Sequence, residues 1–575
     1  MHRMTDMERY LGKAILIIAL ALCLAPFAAF AAKADKVDVI VVYDAKPTAA
    51  EKARVQGLGG ETRREFKNFN MRVISISENA LKSLEKGKGV KFVAPDRETF
   101  AMALTTLAPS APTVSAAKQT ARMPADGSVN AAYRGSRVGV AIVDSGIGLH
   151  YDLNPYVRQY DFSGGANPQP ETDDDEIDSY NDSPRGDALG HGTHVAGILS
   201  GNGGASSGQH KGVATSANLL SLKVLDDQGR GVASDAIAAM DWLLSYGSYF
   251  DIEVVNLSIG KAVEESNATD PLVLAVERVW DAGMVVVVAA GNFGRDGNMT
   301  ITSPGNARKV ITVGSLTDKG TGGDFNDDFV STYSSMGPTL GDHILKPDLV
   351  APGNRVTSTV SLGATLLDGL PNRIAKCKDP FGDEDVTYCS AAYLELSGTS
   401  MATPMVSATV AMMLEKDPSL TPATIKARLM RSARKVDADI TAVGAGVLDI
   451  DAALNATGTV SGEALSPIMA RSEEGPAMLL EDTAQLWGDP TWGAGYLWTD
   501  GYLWTDGYLW TDGYLWTDAY LWTDGYLWTD AYLWTDAYLW TDAYLWTDAY
   551  LWTDAVTNYA PLYETSSADI ALEDD

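Results

Sequence analysis

The sequence contains few cysteines and few basic residues. Three cysteines occur in 575 residues, and 44 lysines and arginines stand against 75 acidic residues, which leaves a net charge of −31. Because nucleic-acid binding needs a basic surface for the phosphates, this charge argues against a nucleic-acid partner. The hydrophobic fraction of 46% is typical of a globular chain. A chain of 575 residues is longer than one hydrophobic core usually organises, so we expect about two to four domains.

No segment after the first 31 residues is long and apolar enough to span a membrane. The apolar stretch Ala14–Phe27 follows a segment with three basic residues and precedes the small-x-small motif Ala29-Phe30-Ala31. This pattern predicts a secretory signal peptide over residues 1–31. A membrane anchor is the alternative, but the stretch is short for a span and ends in a cleavage motif. We therefore expect a secreted or extracytoplasmic protein without a membrane span after signal cleavage, and association with the cell surface is compatible with that.

Two cysteines, Cys377 and Cys389, remain after the signal is removed. They lie twelve residues apart in a compartment that permits disulfides, so a disulfide is favoured over two free thiols. Two cysteines alone make a poor zinc site, because structural zinc needs three or four protein ligands.

Most of the acidity belongs to the C-terminal part of the chain. From Ser461 onward there are 21 acidic residues and one basic residue, which account for −20 of the net charge. Residues 459–494 are predicted as a linker, 495–554 consist of ten Gly/Ala-Tyr-Leu-Trp-Thr-Asp hexapeptides, and 555–575 form an acidic tail. A period of six keeps register in an extended chain, so stacked short strands are one interpretation and a low-complexity spacer is the other. Exposed aromatics stack on flat surfaces, which makes cell wall, polysaccharide or another surface a candidate partner.

Residues 36–100 predict a small α+β module. Strand patterns alternate with helical stretches, the strands being Val37–Val42, Met71–Ile76 and Val90–Val93 and the helices Thr48–Gln56 and Glu78–Leu84. The order β-α-β-α-β matches a ferredoxin-like module. Residues 101–129 turn to Ala, Thr, Ser and Pro, which predicts an exposed linker suited to proteolysis.

Residues 130–458 predict the main domain, an α/β fold. Five short runs are apolar at successive positions, namely Val138–Val143, Leu219–Val224, Val254–Ile259, Met284–Ala289 and Val310–Val313. Strands of a buried parallel sheet have this pattern, because both faces of the sheet are covered. Helical stretches lie between them, so we expect a three-layer α/β/α domain with a mainly parallel sheet.

Three polar residues have the pattern of a nucleophilic catalytic set. Ser400 precedes the apolar stretch Met401–Leu414, which places it at a helix N-terminus that favours developing negative charge. A serine hydroxyl needs a base, and His191 can accept its proton, while Asp144 at a strand end can orient the imidazole. Taken singly, each residue has an ordinary interpretation as a cap, a packed side chain or a turn residue. His191 and His194 lack the glutamate of a zinc-peptidase motif, so His194 is assigned to structure.

The segments around this set resemble the subtilisin-like serine peptidases (subtilases). The matching segments are Val140–Gly146, Gly190–Gly197 and Ser397–Pro404, in the order Asp, His, Ser, and the resemblance extends over residues 137–456. It implies a subtilisin-like fold and hydrolysis of peptide bonds through an acyl-enzyme intermediate. It also implies that the module 36–100 is an inhibitory pro-domain, that the chain is made as a zymogen, and that maturation occurs within 101–129. By the same resemblance Asn292 contributes to the oxyanion hole.

The resemblance further implies how a protein or peptide substrate lies in the cleft. An extended substrate would pair with one backbone segment and be walled by another, the residues being Leu257, Ser258, Ile259 and Gly260, and then Ala289, Ala290 and Gly291. Two departures from the family pattern are Lys261, where many relatives have glycine, and Met405, where many have histidine. Residues 361–396 look like an insertion that contains the cysteine pair and covers one edge of the cleft.

The acidic run Asp173, Asp174 and Asp175 is a candidate structural calcium site, since calcium binds clustered carboxylate oxygens. A solvated loop is the alternative. The chemistry itself requires no cofactor.

A different class of function is a binding or wall-attachment protein that uses the aromatic repeat on a subtilase scaffold without activity. The presence of Asp144, His191, Asn292 and Ser400 together favours the peptidase.

Overall fold

The computed structural model describes most of the chain between residues 36 and 493. The described ranges are 36–102, 114–124, 128–154, 156–168, 186–361, 363–369, 393–436, 438–471, 477–481, 483–488 and 490–493, with five short strands in the repeat. Several sequence predictions lie outside these residues. They are the signal peptide 1–31, the calcium ligands Asp173, Asp174 and Asp175, the cysteines Cys377 and Cys389, and the acidic tail 555–575.

The N-terminal module, residues 36–95, is a four-stranded antiparallel sheet with two helices. Its elements are β1 (Lys36–Tyr43), α1 (Ala49–Gly57), β2 (Glu61–Glu65), β3 (Met71–Ser77), α2 (Glu78–Glu85) and β4 (Val90–Pro95). The strand order is β2-β3-β1-β4. Strand β2 was missed in the sequence because Glu-Thr-Arg-Arg-Glu contains no apolar residue and therefore has no hydrophobic period.

Both faces of this sheet are buried, in two different cores. In β1, Val39 and Val41 pack with the module's own helices, whereas Ile40 and Val42 belong to the core of the main domain. Alternate residues of a strand point to opposite faces, so a single strand can serve both cores. The module is therefore packed against the main domain through one whole face of its sheet.

The main domain begins with a strand that precedes its central sheet. Its strands are β5 (Glu98–Ala101), β6 (Gly139–Asp144), β7 (Arg158–Asp161), β8 (Asn218–Lys223), β9 (Arg230–Val232), β10 (Ile252–Leu257), β11 (Ile259–Gly260), β12 (Val285–Ala289), β13 (Ile311–Thr317), β14 (Phe329–Val330), β15 (Leu349–Pro352), β16 (Val356–Thr359) and β17 (Tyr393–Leu396). Its helices are α3 (Val114–Thr120), α4 (His191–Ser200), α5 (Ala233–Tyr246), α6 (Pro271–Asp281), α7 (Thr365–Gly369), α8 (Thr399–Lys416), α9 (Pro422–Ser432), α10 (Ile440–Val443) and α11 (Ile450–Asn455).

The central sheet has eight strands in the order β14-β13-β12-β10-β6-β8-β7, with β15 beside β13. Every pairing is parallel except that of β13 with β14. The prediction of a mainly parallel sheet is confirmed. Strand β12 reads Val-Val-Val-Val-Ala and is buried along its whole length, as expected for a strand with helices on both faces. Helix α8 is buried from Thr399 to Leu414 and lies across the sheet.

The predicted linker 101–129 contains a packed helix in its described part. Ala101 ends strand β5, and helix α3 follows at Val114–Thr120. Ala117 and Ala121 are buried in the main core, and Thr120 Oγ1 donates to Asp318 Oδ2 at 3.0 Å. A composition rich in alanine and serine permits a packed helix as well as a loop, so composition could not separate the two.

The predicted linker 459–494 is likewise packed in its described part. It contains β18 (Met469–Arg471), β19 (Ala477–Leu479) and α12 (Thr483–Trp487). Trp487 and Trp492 are almost fully buried, in a cluster with Leu345 and Ala427 of the main domain. Their indole N–H groups donate to backbone carbonyls. Because two tryptophans bury a large apolar area, the folded unit extends beyond residue 458.

Five short strands are described within the repeat. They are β20 (Trp504–Thr505), β21 (Leu509–Thr511), β22 (Trp516–Thr517), β23 (Leu527–Thr529) and β24 (Trp534–Thr535). Leu509 pairs with Leu527 and Trp516 with Trp534, both in parallel and both offset by eighteen residues, or three hexapeptides. Of the helices in the described ranges, none combines the length and apolarity that crossing a membrane requires.

Candidate active site

Asp144, His191 and Ser400 lie at three element ends that meet beside the central sheet. Asp144 is the last residue of β6, His191 is the first residue of α4, and Ser400 lies in the first turn of α8. Gly190 precedes α4 with φ of +98°, a conformation that favours glycine. All three side chains are buried.

Asp144 and His191 form a direct hydrogen bond. His191 Nδ1 lies 2.7 Å from Asp144 Oδ1, which also accepts the Ser145 N–H at 2.7 Å. Burial alone would lower the pKa of His191, but the negative charge of Asp144 and this hydrogen bond outweigh burial and raise it. The imidazole is thereby held in one orientation and made a better proton acceptor.

Asp187 fixes the turn that leads into His191, and the sequence reasoning missed it. Its carboxylate accepts from Ser145 Oγ at 2.9 Å, from Gly190 N–H at 2.8 Å and from Thr193 N–H at 2.8 Å. Burial raises the pKa of Asp187, and these hydrogen bonds oppose the rise. Asp187 joins the ends of β6 and the start of α4, so it positions both Asp144 and His191.

His194 lies one turn further along α4 and has a structural role, as expected. Its Nε2 bonds to the Leu394 carbonyl at 2.8 Å, and burial lowers the pKa of His194 to about 3. Where the structure describes side chains, no group of three or more His, Cys, Asp or Glu is arranged to hold a metal ion. The calcium site at Asp173, Asp174 and Asp175 stays a prediction.

Ser400 is contacted by Met102, the residue that follows strand β5. The Ser400 backbone N–H donates to the Met102 carbonyl at 3.2 Å. Its hydroxyl donates to the Ser258 carbonyl, also at 3.2 Å. Among the described groups His191 Nε2 has no hydrogen-bond partner. A hydrogen bond between Ser400 Oγ and His191 Nε2 is therefore not formed in this state.

Asn292 is oriented by the residue before Ser400. Its Oδ1 accepts the Thr399 N–H at 3.0 Å and the Thr399 hydroxyl at 3.1 Å. Because the amide oxygen is taken in this way, only the amide N–H groups remain for another ligand. The Asn292 amide and the Ser400 N–H are thus two donors at the start of one helix.

The predicted substrate-binding segment is occupied by the protein's own strand β5. Ala101 pairs with Ile259 and Phe100 with Gly260 in an antiparallel ladder, and the Met102 N–H donates to the Ser258 carbonyl at 3.1 Å. On its other edge β5 pairs with β9. Residues 98–102 are therefore held as the middle strand of a three-stranded sheet that ends at Ser400.

The Met102 side chain packs on Gly260. Met102 is only 1% exposed, and a Cβ at Gly260 would collide with Met102 Cε. The predicted segment is thus divided in its roles. The backbone of Ser258, Ile259 and Gly260 contacts the segment 100–102, whereas the side chains of Leu257 and Ile259 belong to the main hydrophobic core.

The second predicted wall, Ala289, Ala290 and Gly291, closes strand β12. All three residues are buried, and Gly291 has φ of +115°. The Gly291 N–H donates to Thr399 Oγ1 at 3.3 Å, which links this wall to the start of α8. The wall is therefore joined to the helix that carries Ser400.

The two residues that depart from the family pattern, Lys261 and Met405, are both buried. Lys261 Nζ lies 2.6 Å from Asp270 Oδ2 and 3.2 Å from Glu265 Oε2. Met405 lies fully buried in the main core. The described start of the insertion lies beside the turn before His191, since the Thr365 N–H donates to the Ala188 carbonyl at 2.8 Å.

Comparison with known proteins agrees with this architecture. The profile of the Subtilase family matches residues 135–448, more than half of the chain. The chain belongs to the subtilase family. Serine protease AprX of Bacillus subtilis (strain 168) is 37% identical to this subtilase over 335 residues, covering 57% of this chain and 67% of AprX. Subtilisin E of the same organism is 30% identical over 411 residues, covering 71% of this chain and 87% of the relative.

A solved structure shares the fold of this subtilase. Fervidolysin from Fervidobacterium pennivorans, a keratinolytic enzyme related to subtilisin, superimposes with a TM-score of 0.56 at 19% identity. The similarity covers 78% of this chain and 64% of fervidolysin. At that identity the likeness concerns the fold, which is the subtilisin-like arrangement of a mainly parallel sheet and its helices.

Proposed function

We propose that this subtilase is a secreted serine endopeptidase that is made as a self-inhibited precursor. The observation that carries the proposal is the hydrogen bond from the Ser400 N–H to the Met102 carbonyl. A peptide carbonyl lies beside the nucleophile candidate, at the end of a strand held along both edges. This is the position that a bound substrate needs for attack by a serine hydroxyl.

In the proposed mechanism Ser400 Oγ attacks the substrate carbonyl while His191 Nε2 takes the hydroxyl proton. The Ser400 N–H and the Asn292 amide stabilise the oxyanion, and Asp144 stabilises the imidazolium. His191 then gives its proton to the leaving amine, and the acyl-enzyme forms. Water hydrolyses the ester with His191 again as base, which frees the carboxylic acid and restores Ser400.

Self-inhibition follows from the way in which the N-terminal module is docked. Arg64 of the module lies 3.0 Å from Asp235 of helix α5, and both side chains are buried. Asp96 accepts from the Ser234 N–H at 2.9 Å, at the start of the same helix. These contacts, together with β5, hold residues 36–102 over the site and exclude other substrates.

We further propose that maturation cuts the bond between Met102 and Ala103. Helix α3 is packed into the main domain, so the cut must fall before residue 114 if that helix is to stay in place. The Met102 carbonyl is the one that meets Ser400. The maturation site expected within 101–129 is thus proposed to be this single bond.

The test is expression of the full chain as wild type, Ser400→Ala and the control Ser432→Ala. Wild type and Ser432→Ala should yield a mature form with Ala103 at its N-terminus and should hydrolyse casein. Ser400→Ala should stay uncut between Met102 and Ala103 and inactive. The proposal is wrong if all three proteins are processed alike, or if the wild type is neither cut nor active.

The repeat is proposed to add surface binding to hydrolysis, with cell wall or polysaccharide as the partner class. The parallel pairing of Trp516 with Trp534 and of Leu509 with Leu527 supports a regular array rather than a random spacer. Aromatic side chains repeated at constant spacing suit repetitive, flat ligands.

A further inference from the structure

Arg97 is the residue just before strand β5, and two glutamates hold its side chain. Arg97 Nη2 lies 2.6 Å from Glu264 Oε2, and Arg97 Nε lies 3.0 Å from Glu265 Oε1. Its carbonyl accepts the Ala233 N–H at 2.8 Å. Both the backbone and the guanidinium of Arg97 are therefore bound by the main domain.

The glutamate pair adjoins two buried charged side chains, Lys261 and Asp270. Lys261 Nζ contacts Glu265 at 3.2 Å and Asp270 at 2.6 Å. Asp270 is fully buried and Lys261 nearly so. Two carboxylates thus share Lys261, and together with Glu264 the group has three carboxylates and one lysine, which leaves a net charge of −2 when Arg97 is absent.

This charge group is tied directly to the substrate-binding strand. Lys261 follows Gly260, the residue that pairs with Phe100, and its backbone forms two hydrogen bonds with Ser303, at 2.8 and 3.0 Å. The start of the loop that carries the glutamates is therefore anchored beside β11 by backbone bonds that do not involve β5. A substrate that replaces β5 would bring the same chain position to the same glutamates.

We infer that Glu264 and Glu265 form a distal subsite that selects a basic residue five positions before the residue whose carbonyl is attacked. Arginine fits better than lysine, because its planar guanidinium reaches both carboxylates at once. The inference rests on the proposed peptidase function and concerns the substrates of that same site.

A second ion pair of the segment gives a matched control. Glu98 lies 3.6 Å from Arg230, and both side chains are more than half exposed. Exposed pairs of this kind contribute little, because solvent screens them. Arg230→Gln removes the partner of Glu98, the residue next to Arg97, and leaves both glutamates in place.

The experiment uses mature enzyme and peptides with the sequence Xaa-Glu-Thr-Phe-Ala-Met-Ala-Leu, where Xaa is Arg, Lys, Ala or Glu. Wild type should cleave the Arg peptide with kcat/KM about three- to tenfold above the Ala peptide, mainly through KM. The Glu peptide should be the poorest. The preference should fall as salt rises, should vanish in the double variant E264Q/E265Q, and should persist in Arg230→Gln.

Equal kcat/KM for the Arg and Ala peptides with wild-type enzyme overturns the inference, and so does a preference that survives in the double variant. Glu264→Gln alone, at a half-exposed side chain, gives a second variant in case the double variant does not fold. If no peptide is cleaved by any form, the proposed peptidase function fails instead, so the two failures are distinguishable.

Discussion

The Met102 carbonyl oxygen and the Ser400 backbone nitrogen are 3.2 Å apart, although the two residues lie far apart in the sequence. Ser400 Oγ meanwhile donates to Ser258 rather than to His191. The site is therefore filled, and the Ser400 hydroxyl is not hydrogen-bonded to His191.

The Met102 side chain should control the rate of self-cleavage. Met102→Asp places a charge in the buried position on Gly260, and burying an unpaired charge costs several kcal/mol, so processing should slow more than about 100-fold. Met102→Leu keeps the volume and should process within a few-fold of wild type. The measurement is the half-life of the precursor on gels. Rapid cutting of the Asp variant at Met102–Ala103 would contradict the assignment.

Asn292→Ala should lower kcat with little change in KM. The amide is a donor to the oxyanion in the proposed mechanism, and removal of one such donor in subtilisin lowers kcat by about 10²–10³. Steady-state kinetics on a peptide substrate measure the effect. Thermal unfolding close to that of wild type is the control, and an unchanged kcat would remove Asn292 from the mechanism.

The pH dependence of kcat/KM should follow His191. The imidazole must be neutral to accept the Ser400 proton, so activity should be full above its pKa and fall as pH drops below it. Asp144 raises the pKa of His191, and Asp144→Asn should therefore move the acidic limb to lower pH. The same change should cut kcat by about 10⁴, the loss that the corresponding change causes in trypsin. An acidic limb that stays in place would argue against the coupling of Asp144 and His191.

The stability of the folded protein should rise with pH above neutrality because of Lys426. Burial lowers the pKa of Lys426 to about 7. The negative charge of Asp348 opposes this shift, and the positive charge of Lys346 adds to it. The unfolded chain binds a proton at this lysine up to about pH 10.5, so between pH 7 and 10 it holds more protons than the folded protein. The Ser400→Ala variant is used because it cannot digest itself. Its free energy of unfolding, measured with urea, should be larger at pH 9 than at pH 7. Lys426→Met in the same background should reduce that difference, and an unchanged difference would assign it to other groups.

Truncation should separate the packed extension from the repeat. A chain that ends after Gly493 lacks the hexapeptides but keeps Trp487 and Trp492 in their cluster, so peptide hydrolysis should stay within a few-fold of the full chain. A chain that ends after Gly458 loses both tryptophans from the core, at a cost of more than about 3 kcal/mol. Unfolding midpoints and binding to insoluble polysaccharide or cell wall are the measurements. Loss of peptide hydrolysis in the chain that ends after Gly493 would show that the repeat belongs to the enzyme.

The sequence by itself determined the family, the mainly parallel sheet and the three chain positions that converge at the site. Each of these has a local signature, because buried strands are apolar over a few successive residues and Asp144, His191 and Ser400 each lie in a distinctive short motif. The hydrogen bond from His191 to Asp144 and the fixing of Asn292 by Thr399 then follow from element ends that meet beside the sheet.

Only the tertiary structure decided which residues lie beside those three. Strand β2 of the N-terminal module, the packed helix α3 and the buried Trp487 and Trp492 were not recognisable locally, because charge, small residues and tryptophan occur equally in loops. The contacts of Met102 with Ser400 and of Arg97 with Glu264 join residues far apart in the chain. Such contacts depend on how one folded element docks on another, and no spacing along the chain encodes that.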